Sequence, residues 1–145
     1  MATIIIIIIL ILFLVLIGWT WNSLGNIEKN KKMLYIIVGL IISWIITFII
    51  YKLSQIGINY ESQEVMKSMQ SIYVTLFTIV NGYIILPFTF RTIEQINENE
   101  IDKQRFQKRA IIFLIILILI GIFECKYLAN IQIDTIELIK NLKNK

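Results

Sequence analysis

Six consecutive isoleucines, Ile4 to Ile9, run into Leu10 through Ile17 without one polar side chain. In water this low-charge, β-prone segment would be a template for cross-β stacking, whereas in hydrocarbon the same side chains match their solvent. A chain opening this way is expected to live in a membrane. Three more apolar stretches make it multi-pass. The composition agrees: 57% of the residues are hydrophobic, and the mean hydropathy is +0.76.

Four spans are expected, at about 3-21, 33-51, 71-90 and 110-128, in a single transmembrane domain covering 1-145. At about 1.5 Å per residue each is long enough for a hydrocarbon core of about 30 Å, or nearly so. Trp19 and Trp21 mark the end of the first, and Tyr35 and Tyr51 belong to the aromatic belts of the second. The first stretch does not read as a cleaved signal. It has no Lys or Arg before it, and Gly18-Trp19-Thr20-Trp21 offers no small-x-small cleavage site. The fold class is all-α, an integral membrane four-helix bundle.

Two segments lie outside the bilayer in this reading. Residues 91-109 form a helical hairpin turning at Asn97-Glu98-Asn99, with Asn99 capping the next helix and Glu100 and Asp102 in its first turn. Residues 129-145 space Ile131, Leu138, Ile139 and Leu142 at helical intervals among lysines, as an amphipathic interfacial helix does. Pro87 removes the hydrogen bond to the Tyr83 carbonyl and is expected to bend the third helix.

Orientation follows from the basic residues. Lys29, Lys31 and Lys32 in the first loop and Arg91, Lys103, Arg105, Lys108 and Arg109 in the third outnumber Lys52, Lys67, Lys126, Lys140, Lys143 and Lys145 on the other side. The positive-inside rule then puts both termini outside. A basic amphipathic tail, which favours the anionic cytoplasmic leaflet, argues for the reverse.

Much chemistry is excluded. The chain has no histidine and one cysteine, Cys125. That removes disulfides, histidine-cysteine metal sites and the commonest general base. Glycines are scattered singly, with no phosphate loop, HExxH or nucleophile elbow. No enzyme, cofactor or metal is expected. The net charge of +4 is spread over loops of mixed sign, which does not make a nucleic-acid face.

The candidate functional residues are few. Gly39, Ser43 and Thr47 recur every fourth residue, a small-residue stripe that lets two helices approach closely. Ser71, Thr75, Thr78, Gly82 and Thr89 fall within about 40° of one another on a helix of 3.6 residues per turn, and Asn81 lies beside them. An amide at membrane depth needs a partner, in another helix, a second copy or water. The face reads either as the lining of a narrow pore or as a bundle seam. Uncharged hydroxyls are common glue between membrane helices, which favours the seam. Glu124 is the one carboxylate within reach of a span, roughly 20 Å beyond Arg109 by helical rise. Submerged, it is a proton or cation site; at the far interface it is merely solvated. Cys125 beside it reads as a small hydrophobe.

The hairpin carries Arg91, Glu94, Glu98, Glu100, Asp102, Lys103, Arg105, Lys108 and Arg109, with Ile93, Ile96, Ile101 and Phe106 as apolar anchors. A chain with so little mass outside lipid recruits a soluble protein only through such a platform. In size, four-span layout and isoleucine- and lysine-rich make-up, the chain resembles the small membrane subunits of bacterial anti-phage systems, such as the four-span subunit of the Kiwa system. That resemblance covers the architecture of the whole chain and no diagnostic motif. It implies an oligomeric inner-membrane anchor, sensor or gated permeabilising subunit working with a cytoplasmic partner. Holins, bacteriocin-immunity proteins and small transporters share the outline. The small multidrug exporters also match in size, but their essential carboxylate lies in the first span, which here has none.

Overall fold

The computed structural model describes residues 1–56 and 63–145; the stretch 57–62, with Gly57, lies outside the described residues. Four helices follow one another: α1 Ala2–Ser23, α2 Lys29–Ser54, α3 Gln63–Asn97 and α4 Lys103–Lys143. Among the described residues there is no strand. β-branched isoleucine is a weak helix former in water, yet lipid offers the backbone no hydrogen-bond partners, so a lone segment satisfies itself only as a helix. All four helices are long and apolar enough to cross a membrane.

The central element is α3, which packs along α1 and α2, while α4 leans mainly on α2. Small residues set the close approaches. A Cβ placed on Gly39 would come within 2.8 Å of Leu86 Cδ2 and 2.9 Å of Phe90 Cζ, and one on Gly82 within 2.8 Å of Leu16 Cδ2. Thus α3 inserts Leu86 and Phe90 against α2 and receives Leu16 from α1. The Tyr83 hydroxyl also donates to the Leu12 carbonyl, and Trp19 meets the Tyr83 ring edge-on at 6.0 Å.

Two apolar clusters result. Leu24, Ile27, Ile36, Leu86 and Phe90 fill the end near the first loop. Ile50, Tyr51, Val74 and Leu128 fill the opposite end, with half-buried Cys125 packed against them. Between the clusters lies a polar layer.

The turns match their residues in different ways. Gly25 takes φ +58° after α1, the left-handed geometry that glycine adopts without a Cβ clash. Asn99 takes φ 55° after α3, which asparagine tolerates better than most residues. Asn99 therefore ends α3 and does not cap α4. The cap is Asp102, whose carboxylate accepts the Arg105 N–H at 2.8 Å. Glu100 precedes that cap, and the first turn of α4 holds no acid.

The third helix runs unbroken through Pro87 to Asn97. At 35 residues it extends about 50 Å, and the 41 residues of α4 about 60 Å, both well beyond a hydrocarbon core of about 30 Å. The surplus forms the hairpin at one end. At the other end it is the C-terminal amphipathic segment, which continues α4 without a break. No Gly or Pro interrupts residues 122–145, and Leu128 and Gln132 are buried, so packing and propensity carry the helix straight on. Asn26 Nδ2 donates to Glu98 Oε1 at 3.3 Å. The first loop and the hairpin turn are therefore on the same side.

Candidate functional site

The polar layer is built on Asn81. Its side chain is fully buried, and both Nδ2 hydrogens are used. One goes to Thr47 Oγ1 at 2.9 Å and the other to Glu124 Oε2 at 3.0 Å. A single amide thus ties α3 to α2 and α4. Thr47 accepts from Asn81 and donates to the Ser43 carbonyl at 2.7 Å. Glu124, 4% exposed, is submerged in the bundle and not solvated at its edge.

The layer is incomplete. Asn81 Oδ1 and Ser43 Oγ are buried without a hydrogen-bond partner among the described residues. Glu124 forms no ion pair with any described residue either. Burying such groups costs free energy unless something pairs with them. Asn81 supplies the carboxylate with a donor but with no charge.

Below this layer, towards the C-terminal end of α4, the polar contacts continue in steps. Gln132 Nε2 donates to Ser54 Oγ at 2.9 Å, and the Tyr73 and Thr135 hydroxyls meet at 3.5 Å. Glu124, Leu128, Gln132 and Thr135 share one stripe of α4, at the i, i+4, i+8, i+11 spacing of a helix face. Thr47, Tyr51 and Ser54 answer it from α2. Leu128, fully buried, interrupts the polar series.

The hydroxyl face expected on the third span divides. Ser71 and Thr75 are exposed and Thr78 and Thr89 half-buried. The Thr75, Thr78 and Thr89 hydroxyls donate to their own helix, at the carbonyls of Ser71, Val74 and Ile85. Threonine hydroxyls satisfied this way present mostly a methyl to a neighbour. Gly82 packs on Leu16 of α1. Only Asn81 joins the polar layer, together with Ser43 and Thr47 of the second-span stripe. Gly39, the third member of that stripe, makes the apolar contact above.

A cleft of about 490 Å³ separates α3 from α4 at the same level. Phe77, Val80, Leu119, Phe123, Glu124 and Tyr127 line it. Phe77 and Tyr127 lie 6.2 Å apart by ring centroid, and Phe123 stacks on Tyr127 at 6.4 Å.

At the hairpin, Arg91, Glu98, Glu100, Asp102, Lys103, Arg105 and Lys108 are exposed, and Glu94 and Arg109 half-buried. Glu94 lies against Gly25. Arg109 Nη1 donates to Thr92 Oγ1 at 3.3 Å, which bridges the two arms. Of the apolar anchors, Ile93 turns inward onto the upper cluster, whereas Ile96 and Phe106 stay exposed.

Four membrane-length helices around a buried carboxylate-amide layer define an α-helical multi-pass membrane protein. No protein-family model, curated protein or solved structure matches the chain.

Proposed function

We propose that the protein is a subunit of a bacterial inner-membrane assembly of the anti-phage defence type. It acts there as an oligomeric anchor and sensor or as a gated permeabilising subunit, with its termini outside and the α3–α4 hairpin in the cytoplasm. The observation that carries this reading is the hairpin itself. It projects past the span on two overlong helices, and among the described residues none of its nine charged side chains forms an ion pair. Unpaired charge beside exposed Ile96 and Phe106 is the composition of a docking rim. The shared side of the first loop and hairpin also gathers Lys29, Lys31 and Lys32 with the hairpin cations, in keeping with the positive-inside rule.

Self-association draws support from two glycines. Gly18 and Gly121 meet nothing within 4 Å of a virtual Cβ, so these notches are unused within one copy and suit a neighbouring helix.

The test is a mild-detergent pull-down of the tagged protein from its native host, with native mass determination. A stoichiometric soluble companion is expected, released by Arg105→Glu with Lys108→Glu. This pair is cleaner than one including Arg109, which also holds Thr92. Retention of the companion by that variant at high salt would remove the docking reading.

The second reading is a stand-alone conduit, as in a holin or small transporter, and the incomplete polar layer favours it. It requires that Asn81→Leu and Thr47→Val, which remove two members of that layer, each abolish ion flux through reconstituted protein while assembly persists. Unchanged conductance in both would exclude it.

A further inference from the structure

The α3–α4 cleft brings together features that the anchoring role does not use. Its walls are apolar, and Val80, Leu119, Phe123 and Tyr127 are all substantially exposed along it. In a membrane-spanning segment this opening faces lipid. At its floor stands Glu124, with Oε2 held by Asn81 and no hydrogen bond to Oε1 from any described residue. Three aromatic rings, Phe77, Phe123 and Tyr127, stand in series beside it.

We propose that this cleft binds a lipophilic organic cation, such as a quaternary ammonium or phosphonium compound, with Glu124 as counter-charge and the three rings as its wall. The chemistry selects that class. A bare metal ion needs several oxygen ligands, and the cleft offers one carboxylate. An anion would face Glu124 directly. A neutral apolar molecule would leave the carboxylate unpaired, the costly arrangement at membrane depth. A cation carrying an apolar body satisfies both parts, because the charge pairs with Glu124 and the body replaces lipid against the walls. Aromatic faces add attraction for a desolvated cation. The 490 Å³ volume falls among pockets that hold drug-sized ligands, about 300–1,000 Å³.

The experiment is equilibrium dialysis of the full chain in detergent against labelled tetraphenylphosphonium, with tetraphenylborate as a probe of nearly the same shape and opposite charge. Saturable binding of the cation and none of the borate is expected. Glu124→Gln keeps an oxygen for Asn81 and should weaken cation binding at least tenfold. Tyr127→Ala, which leaves the Glu124–Asn81 bond in place, should weaken it severalfold. Absence of saturable cation binding, equal binding of the borate, or an unchanged affinity in Glu124→Gln would each overturn the proposal.

Discussion

Replacing Asn81 by leucine removes a side chain that bonds two neighbouring helices at once. Leucine has the same branched skeleton as asparagine but is bulkier, so a packing cost comes on top, and the hydrogen-bond loss is reckoned separately from it. Thr47 keeps its bond to the Ser43 carbonyl and loses only an incoming donor. Such hydrogen bonds between membrane helices are worth about 0.6–2 kcal/mol. Glu124 loses its one donor among the described residues, and a buried acceptor stripped of its partner costs about 1–3 kcal/mol, more when charged. The single variant should therefore lose about 2–4 kcal/mol in hydrogen bonding. Removing both partners leaves neither stranded, so Asn81→Leu introduced into a Glu124→Leu background should cost about 1–3 kcal/mol less than it does alone. The assay is reversible unfolding in mixed micelles, followed by the loss of helix-helix contact for the wild type, both single variants and the double. Strict additivity would refute the reasoning, since it would mean that the Asn81–Glu124 contact contributes nothing to holding α4 in place.

Further outcomes follow from the same geometry. Gly39→Leu forces a side chain into the space of Leu86 and Phe90 and should destabilise the α2–α3 pair by about 1–3 kcal/mol, read in the same unfolding assay. Gly121→Leu meets open space and should leave monomer stability unchanged while lowering cross-linked oligomer yield; an unchanged yield would remove that glycine from any contact between copies. Asp102→Ala deletes the cap of α4 and should cost about 0.5–2 kcal/mol, visible as faster amide exchange over residues 103–106 and not in the spans. Thr75→Val exchanges an exposed, self-satisfied hydroxyl and should alter stability by less than about 0.5 kcal/mol.

The four spans were legible in the sequence because lipid leaves an apolar run of that length few alternatives to a helix. The Gly39, Ser43, Thr47 stripe was legible for a related reason. Small residues at every fourth position lie on one helix face, and α3 indeed packs there. That Asn81 needs a partner could be argued from burial cost alone. Which partner could not, since Thr47 and Glu124 lie 34 and 43 positions away and meet it only through tertiary packing. Ser54 and Gln132 do not stand out in the sequence because each lies beyond a span's expected end, among polar and charged residues. The signal is in the spacing: Ser54 stands seven residues after Thr47 and continues the Gly39, Ser43, Thr47 stripe, and Gln132 stands eight after Glu124, on the same helix face. The cap of α4 falls on Asp102 and not on Asn99 because, of two good cap residues, Asn99 takes the left-handed backbone that ends α3.

The bundle is held together unequally, and the inequality falls on α4. The α1, α2 and α3 contacts rest on glycine notches and close-packed Leu16, Leu86 and Phe90, which lose many dispersion contacts at once if they separate. The fourth helix has an apolar anchor, Leu128 in the second cluster, and otherwise meets the rest at well-spaced polar points, namely Arg109 with Thr92, Glu124 with Asn81, Gln132 with Ser54 and Thr135 with Tyr73. Between Arg109 and Glu124 the seam with α3 opens into clefts. A polar bond within a membrane can be exchanged for another donor or acceptor at little net cost, whereas packing lost to lipid is not regained at the same site. The helix carrying both the hairpin cations and the buried carboxylate is thus the one whose attachments are easiest to trade. A ligand at Glu124 acts on the same rigid rod whose N-terminal end presents Lys103, Arg105 and Lys108, and that continuity joins the membrane layer physically to the surface outside it.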